Sequence, residues 1–83
     1  MQVTLKLFAS LGPYLPEGAA RNQADVEVSE GTTIRSLLDA YNVPPASCHL
    51  VLLNGVFQPP GVRADVQLKR GDAVAVWPPV AGG

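Results

Sequence analysis

The chain begins with apolar and polar side chains in regular alternation. Across residues 2–7 an apolar position recurs at every second residue, as in a strand that buries one face. Residues 25–29 alternate in the same way and predict a second strand. The intervening residues 9–24 contain glycines and prolines, so we expect an irregular connection with at most one helical turn near Tyr14.

The next element has helical rather than strand spacing. One face of the predicted helix collects four apolar side chains, those of Ile34, Leu37, Leu38 and Tyr41. Thr32 is the expected N-cap, and Asn42 can adopt the left-handed conformation that ends a helix. Prolines at positions 44 and 45 prevent the helix from continuing.

The second half of the chain predicts three further strands. Residues 50–53 form a continuous apolar run, which is typical of a strand covered on both faces. Asn54-Gly55 predicts a tight turn into a short strand at residues 56–57. The last strand spans residues 73–77 and is ended by Pro78-Pro79.

The order strand, strand, helix, strand, short strand, strand predicts an α+β fold. One helix and one sheet can close a single two-layer core, with the first and last strands at the centre. This is a β-grasp, ubiquitin-like arrangement, in which a mixed sheet of about five strands packs on one main helix. Among α+β folds it is one of several that the pattern allows. We expect a domain at residues 1–77 and a flexible tail at residues 78–83.

Composition removes several classes of function. Six basic and seven acidic residues are spread along 83 positions without a basic run, which disfavours a nucleic-acid surface. A single cysteine, Cys48, provides neither a disulfide framework nor a metal cluster. We expect no membrane span and no signal peptide, and therefore a cytoplasmic protein. Cys48 fits either a persulfide relay or a small core or surface residue, and the second, structural role is favoured.

The last six residues predict a narrow, extended segment. Pro78-Pro79 favours an extended exit from the body, and the six residues from Pro78 onward can span roughly 20 Å at about 3.3 Å per residue. Ala81, Gly82 and Gly83 have almost no side-chain bulk. Such a segment can enter a narrow channel in another protein and present a terminal carboxylate there.

A carboxylate must be activated before it can carry a group. An acyl-adenylate is one such activated form, and a sulfur donor can convert it to a thiocarboxylate. The sequence lacks a phosphate-binding glycine loop and a Ser/His/Asp or Cys/His set. We therefore expect no bound cofactor and no catalytic activity of the chain alone, with ATP used by a separate activating enzyme.

Four motifs carry a resemblance to a known family. The ending Trp-Pro-Pro-Val-Ala-Gly-Gly at residues 77–83 resembles that of the molybdopterin synthase small subunit, in the MoaD branch of the MoaD/ThiS sulfur carriers. Residues 7–11, 53–55 and 68–72 are similar to the opening strand, the internal Asn-Gly turn and the Gly-Asp turn of that family. The resemblance covers nearly the whole chain.

The resemblance implies a β-grasp fold and a role for each tail residue. Gly83 would carry the adenylate and then the thiocarboxylate, with Gly82 as its required neighbour. The insertion contacts would be made by Pro78, Pro79, Val80 and Ala81. Trp77 suits either a core or an interface position, as does Phe57.

The same resemblance implies two protein partners. One is a MoeB-like adenylating enzyme related to the ubiquitin-activating enzymes. The other is a MoaE-like large subunit, which would form a heterotetramer with this chain and add sulfur to the pterin precursor of the molybdenum cofactor. Two alternatives stay open: a ThiS-like carrier for thiamine thiazole synthesis, and a ubiquitin-like interaction module without sulfur chemistry.

Overall fold

The computed structural model describes residues 1–80 and contains all the predicted elements. The strands and the helix are β1 (Gln2–Leu7), β2 (Gln23–Glu27), α1 (Ile34–Ala40), β3 (Leu50–Leu53), β4 (Val56–Phe57) and β5 (Ala73–Trp77). Short 3-10 turns occupy Ala9–Tyr14, Pro45–Ser47 and Pro60–Val62.

The strands form one mixed sheet in the order β2-β1-β5-β3-β4. β1 and β5 run parallel, and the other neighbours are antiparallel. The prediction that the first and last strands lie at the centre is confirmed, as is the β-grasp fold.

The core lies between one face of the sheet and α1. Every second residue of β1 is buried, as are two residues of β5 and three of the helix: Val3, Leu5, Leu7, Val74, Val76, Ile34, Leu37 and Leu38. The strand period of two and the helical period of 3.6 thus direct their apolar positions to the same space.

The helix begins one residue later than predicted, because Thr33 rather than Thr32 is its N-cap. The Thr33 hydroxyl accepts from the Ser36 backbone N–H, and the Ser36 hydroxyl accepts from the Thr33 N–H, which completes a capping box. Asn42 follows the helix with φ of 63°, so the predicted left-handed end is confirmed.

The turn between β3 and β4 also has its predicted form. Asn54 and Gly55 both have positive φ, 49° and 85°, as a type I′ turn requires. The Asn54 side chain additionally donates to Asp72 (2.9 Å) and accepts from the Ala73 N–H (2.9 Å), which joins the turn to the start of β5.

Three predictions need correction. The second strand lies two residues earlier, at Gln23–Glu27. The connection at residues 9–24 contains more helix than the single turn expected near Tyr14, since Ala9–Tyr14 forms a 3-10 helix of 6 residues. It also contains a two-residue turn at Arg21 and Asn22, both with positive φ. Residues 50–53 are not covered on both faces: Val51 is fully buried, whereas its neighbours are partly exposed on the face away from α1.

Candidate functional site at the end of β5

Hydrogen bonds hold β5 on both sides up to its last residue. On one side, the Phe8 N–H donates to the Val76 carbonyl (3.1 Å). On the other side, the His49 N–H donates to the Trp77 carbonyl (3.1 Å). The chain therefore leaves the sheet from a fixed point.

A pair of aromatic rings closes this end of the sheet. The rings of Phe8 and Trp77 are stacked, with centroids 4.4 Å apart and planes 5° apart. Both side chains are half-buried, so Trp77 is neither a core residue nor fully exposed. The stack links the end of β1 to the residue from which the tail departs.

The first tail residues emerge progressively into solvent. Pro78 is half-buried against the body, Pro79 is exposed, and Val80 is 79% exposed. Ala81, Gly82 and Gly83, which include the predicted reactive residue, lie outside the described residues. Their assigned roles stay predictions, as does the flexibility of the tail.

An apolar surface extends from Trp77 across the face of the sheet opposite α1. Directly paired residues project to the same face, and the register pairs Leu50 with Trp77 and Leu52 with both Ala75 and Phe57. We call these five residues the outer apolar face. Phe57 is 51% exposed, which is unusual for a large apolar side chain unless it meets a partner.

The rest of the same sheet face is polar. On β1 and β2, the Thr4 hydroxyl donates to the Asp25 carboxylate (2.8 Å), and Lys6 and Gln23 are paired across the strands. The outer apolar face therefore has a defined border along β1. An apolar centre beside a polar border is the usual composition of a protein interface.

Arg63 is a buried charge that sequence reasoning did not single out. The residue is 3% exposed, and no other charged residue among residues 1–80 is buried. Its guanidinium donates to the carbonyls of Cys48 (2.7 Å), Gln58 (2.9 Å) and His49 (3.5 Å). Burial lowers the pKa of Arg63, but an arginine stays charged under physiological conditions.

This arginine supports the end of β5 indirectly. It fixes residues 48 and 49, and the His49 N–H is the group that binds the Trp77 carbonyl. Its signal in the sequence was only a weak alternation over residues 63–68, which does not indicate that carbonyls from two loops converge on position 63.

Cys48 is a core residue rather than an accessible thiol. It is 7% exposed, and its Sγ donates to the Pro44 carbonyl (3.4 Å). Burial raises the pKa of the Cys48 thiol, and the nearby Arg63 guanidinium offsets part of that rise. A neutral buried thiol is a poor nucleophile, so of the core and surface positions expected for a structural Cys48, the structure shows the core one.

Two other kinds of site are absent from the described part of the chain. Within residues 1–80, no three metal-ligating side chains are grouped together. None of the helices in that range has the length and apolar character needed to cross a bilayer. His49, Lys69 and Arg70 are exposed to solvent.

Comparison with known proteins places this geometry among sulfur carriers. The model of the ThiS family matches residues 6–83. The small archaeal modifier protein SAMP1 of Haloferax volcanii is similar in structure, with a TM-score of 0.67, 27% identity and complete coverage of both chains. No curated protein matches the sequence significantly.

Two further solved structures are named as subunits of a molybdopterin-converting factor. A putative subunit 1 from Pyrococcus furiosus has a TM-score of 0.65 and 25% identity, over 95% of this chain and 98% of that one. A complex of subunits 1 and 2 from Helicobacter pylori has a TM-score of 0.61 and 20% identity over all of both chains. The second match shows the shared fold.

Proposed function

Because this chain belongs to the ThiS family, we propose that it carries sulfur on Gly83 as the small subunit of molybdopterin synthase. Its fold is that of the ubiquitin-like sulfur carriers of the ThiS/MoaD type. The observation that carries the proposal is the end of β5, where a strand fixed on both sides releases an increasingly exposed tail beside an apolar surface.

The chemistry requires two steps at the Gly83 carboxylate. In the first, a carboxylate oxygen attacks the α-phosphorus of ATP and pyrophosphate leaves, giving an acyl-adenylate. In the second, a sulfur nucleophile attacks the acyl carbon and AMP leaves. Hydrosulfide as the nucleophile gives the thiocarboxylate directly, whereas a persulfide gives an acyl disulfide that a thiol must reduce, which releases the thiocarboxylate and leaves that thiol in a disulfide with the donor. The thiocarboxylate sulfur is a far better nucleophile than the original oxygen. A MoeB-like enzyme would bind the ATP and catalyse the first step.

The body of the domain positions the tail for a partner. The stack of Phe8 on Trp77 sets where the segment begins, and the outer apolar face offers a surface that a partner can bury. The subunit 1 and subunit 2 complex from Helicobacter pylori supports a MoaE-like large subunit as that partner. We expect the assembly to be a heterotetramer, with Pro78 to Ala81 contacting the large subunit.

The charging reaction gives the primary test. The chain is incubated with a MoeB-like enzyme, ATP and a sulfur donor, and its intact mass is measured. We expect the mass to rise by the difference between sulfur and oxygen. A variant lacking Gly83 should fold normally and stay uncharged, whereas Glu17→Gln, at an exposed loop position, is a control that should still be charged. Charging of the variant without Gly83 would refute the proposal.

A second measurement identifies the acceptor. The charged chain is mixed either with a MoaE-like subunit and the pterin precursor or with a thiazole synthase and its substrates. Formation of the dithiolene only in the first mixture supports the molybdopterin role. Transfer only in the second would replace it with the ThiS-like role.

The similarity to SAMP1 supports a second candidate, a protein modifier. That relative is named a small archaeal modifier protein. In this role the activated Gly83 would acylate a lysine of another protein instead of accepting sulfur. Detection of such conjugates by mass spectrometry, without thiocarboxylate, would favour the modifier over the sulfur carrier.

A further inference from the structure

The outer edge of β2 has unpaired backbone groups. Met1 and Val28 exchange both backbone hydrogen bonds (2.7 and 2.8 Å). Because antiparallel pairs alternate, the N–H and C=O groups of Val26 also face β1. Those of Asp25 and Glu27 face away from it, and within residues 1–80 no strand lies on that side.

The two edges of the sheet differ in how they are protected. β4, at the other edge, has only two residues and is closely followed by prolines at 59 and 60. The shortness of the strand and the prolines each discourage the addition of another strand. On β2, only Gln23 is covered, by mutual hydrogen bonds with Ala20 (3.1 Å each). The backbone N–H and C=O groups of Asp25 and Glu27 are therefore free to pair with an added strand.

A groove runs beside this free edge on the helix side of the sheet. It has a volume of about 390 Å³. Its lining is half apolar and half polar: Val28, Leu37, Ala40 and Tyr41 are the apolar part, and Glu27, Ser29, Thr32 and Ser36 the polar part. A strand added to β2 would direct every second side chain towards this groove.

The other side of the same edge is acidic. Asp25 and Glu27 alternate with the buried Val26, so their side chains project to the face opposite the core, and Glu27 also borders the groove. Glu30 follows closely, Arg21 and Arg35 flank this acidic segment, and Lys6 is paired with Gln23 at the far end of β2. The Met1 ammonium group, 3.4 Å from Glu27, offsets one of these charges.

This distribution of charge favours one kind of strand as the binding partner of the β2 edge. Pairing of two copies through β2 would place carboxylates of Asp25 and Glu27 against each other, which is unfavourable. A strand whose side chains alternate between apolar and basic would place the apolar ones in the groove and the basic ones beside the carboxylates.

We propose that the edge of β2 and the groove beside α1 bind an extended segment of a partner protein that alternates apolar with lysine or arginine side chains. The segment adds to the sheet as a strand through the backbone groups of Asp25 and Glu27. This site is separate from the outer apolar face, since β1 lies between β2 and β5. A partner bound here leaves the end of β5 accessible.

The test uses the full chain labelled with ¹⁵N and a short synthetic peptide that alternates lysine with valine. We expect amide shifts at Asp25, Glu27, Val28, Leu37 and Tyr41, without a shift of the Trp77 indole. Shifts confined to the outer apolar face, or no shifts at millimolar peptide, would overturn the proposal. Concentration-dependent shifts along β2 without peptide would identify a second copy as the occupant and would also overturn it.

Backbone methylation distinguishes strand addition from simple charge attraction. Two peptides of the same composition are methylated on alternate sets of backbone nitrogens. If the peptide adds as a strand, methylation of the nitrogens that face β2 abolishes binding, whereas methylation of the alternate nitrogens is tolerated, because only every second N–H group faces β2. Equal binding of the two methylated peptides would contradict the proposal.

A pair of matched variants tests the charge. Replacing Asp25→Asn and Glu27→Gln should weaken peptide binding by about three- to tenfold, the range for two exposed ion pairs. The control replaces Glu17→Gln and Asp65→Asn, which alters net charge equally outside the groove and should leave affinity unchanged. An equal loss of peptide affinity in the two variants would contradict a local role of the Asp25 and Glu27 carboxylates. A chain lacking Gly82 and Gly83 should bind the peptide normally, so failure of the sulfur chemistry would not affect this result.

Discussion

The rings of Phe8 and Trp77 lie in nearly parallel planes, 5° apart, with their centroids 4.4 Å from each other. Trp77 is the last residue of β5, and Phe8 directly follows β1. Since β1 and β5 run parallel, both chains reach this end of the sheet together, and the stack joins them where the tail begins.

Removing the stack should destabilise this end of the sheet. We expect Phe8→Ala to lower the free energy of unfolding by about 1–2 kcal/mol, because it removes a half-buried ring and the stacking of that ring on Trp77. Urea unfolding gives the free energy, and the emission of Trp77 should shift to longer wavelength as its indole meets water. Phe57→Ala, at a more exposed ring, should cost less and leave the emission unchanged. Equal effects on emission would contradict the stack.

The outer apolar face should contribute to binding of a MoaE-like subunit. We expect Phe57→Ser to weaken that affinity about tenfold or more, since a few aromatic anchors that become buried in an interface carry most of its binding energy. Isothermal titration calorimetry with the large subunit measures the change. Val62→Ser, which alters an exposed apolar residue outside this face, is the control and should bind like the parent chain. Loss of affinity in the control alone would assign the interface elsewhere.

The buried arginine should be required for stability. Arg63→Met would leave the carbonyls of Cys48 and Gln58 buried without donors, at a cost of about 2–4 kcal/mol. Arg63→Lys keeps the charge but cannot reach both carbonyls in the same fork geometry, so its loss should be smaller. Arg70→Met, at an exposed turn, should change the free energy of unfolding by less than about 0.5 kcal/mol. Urea titration of the three variants ranks them.

The thiol of Cys48 should titrate at higher pH in the folded chain than in the unfolded one. Burial raises its pKa, so the folded state retains the proton after the unfolded state has lost it. This contribution to stability is present below the unfolded thiol pKa and is lost as pH rises through the folded value. Alkylation rates measured against pH, with and without urea, should show the native midpoint at the higher pH. Coincident midpoints would contradict burial.

Local periodicity was sufficient to predict most of the fold. The alternation of β1, the helical face around Leu37 and the turn at Asn54 each depend on neighbouring residues, so the sequence contains the necessary information. The apolar run at residues 50–53 was misleading. Its side chains away from α1 are apolar because they form the surface beside Trp77, and periodicity cannot distinguish that surface from a second buried layer.

Features that depend on distant contacts could not be predicted. Arg63 becomes a buried donor only when residues 48, 49 and 58 converge on it. The unpaired edge at Asp25 likewise depends on strand order, which no local pattern specifies. The tail at residues 78–83 was predicted from a short motif instead, and that motif predicts a chemistry without specifying the shape of the surrounding surface.

The central position of β5 has a consequence during protein synthesis. β5 is the last strand to leave the ribosome, yet it lies between β1 and β3. The sheet cannot close, and the outer apolar face cannot form, until translation has passed residue 77. An activating enzyme that recognised this folded face, as the proposed function would allow, would therefore discriminate against chains truncated before residue 77 and would consume ATP only on folded molecules.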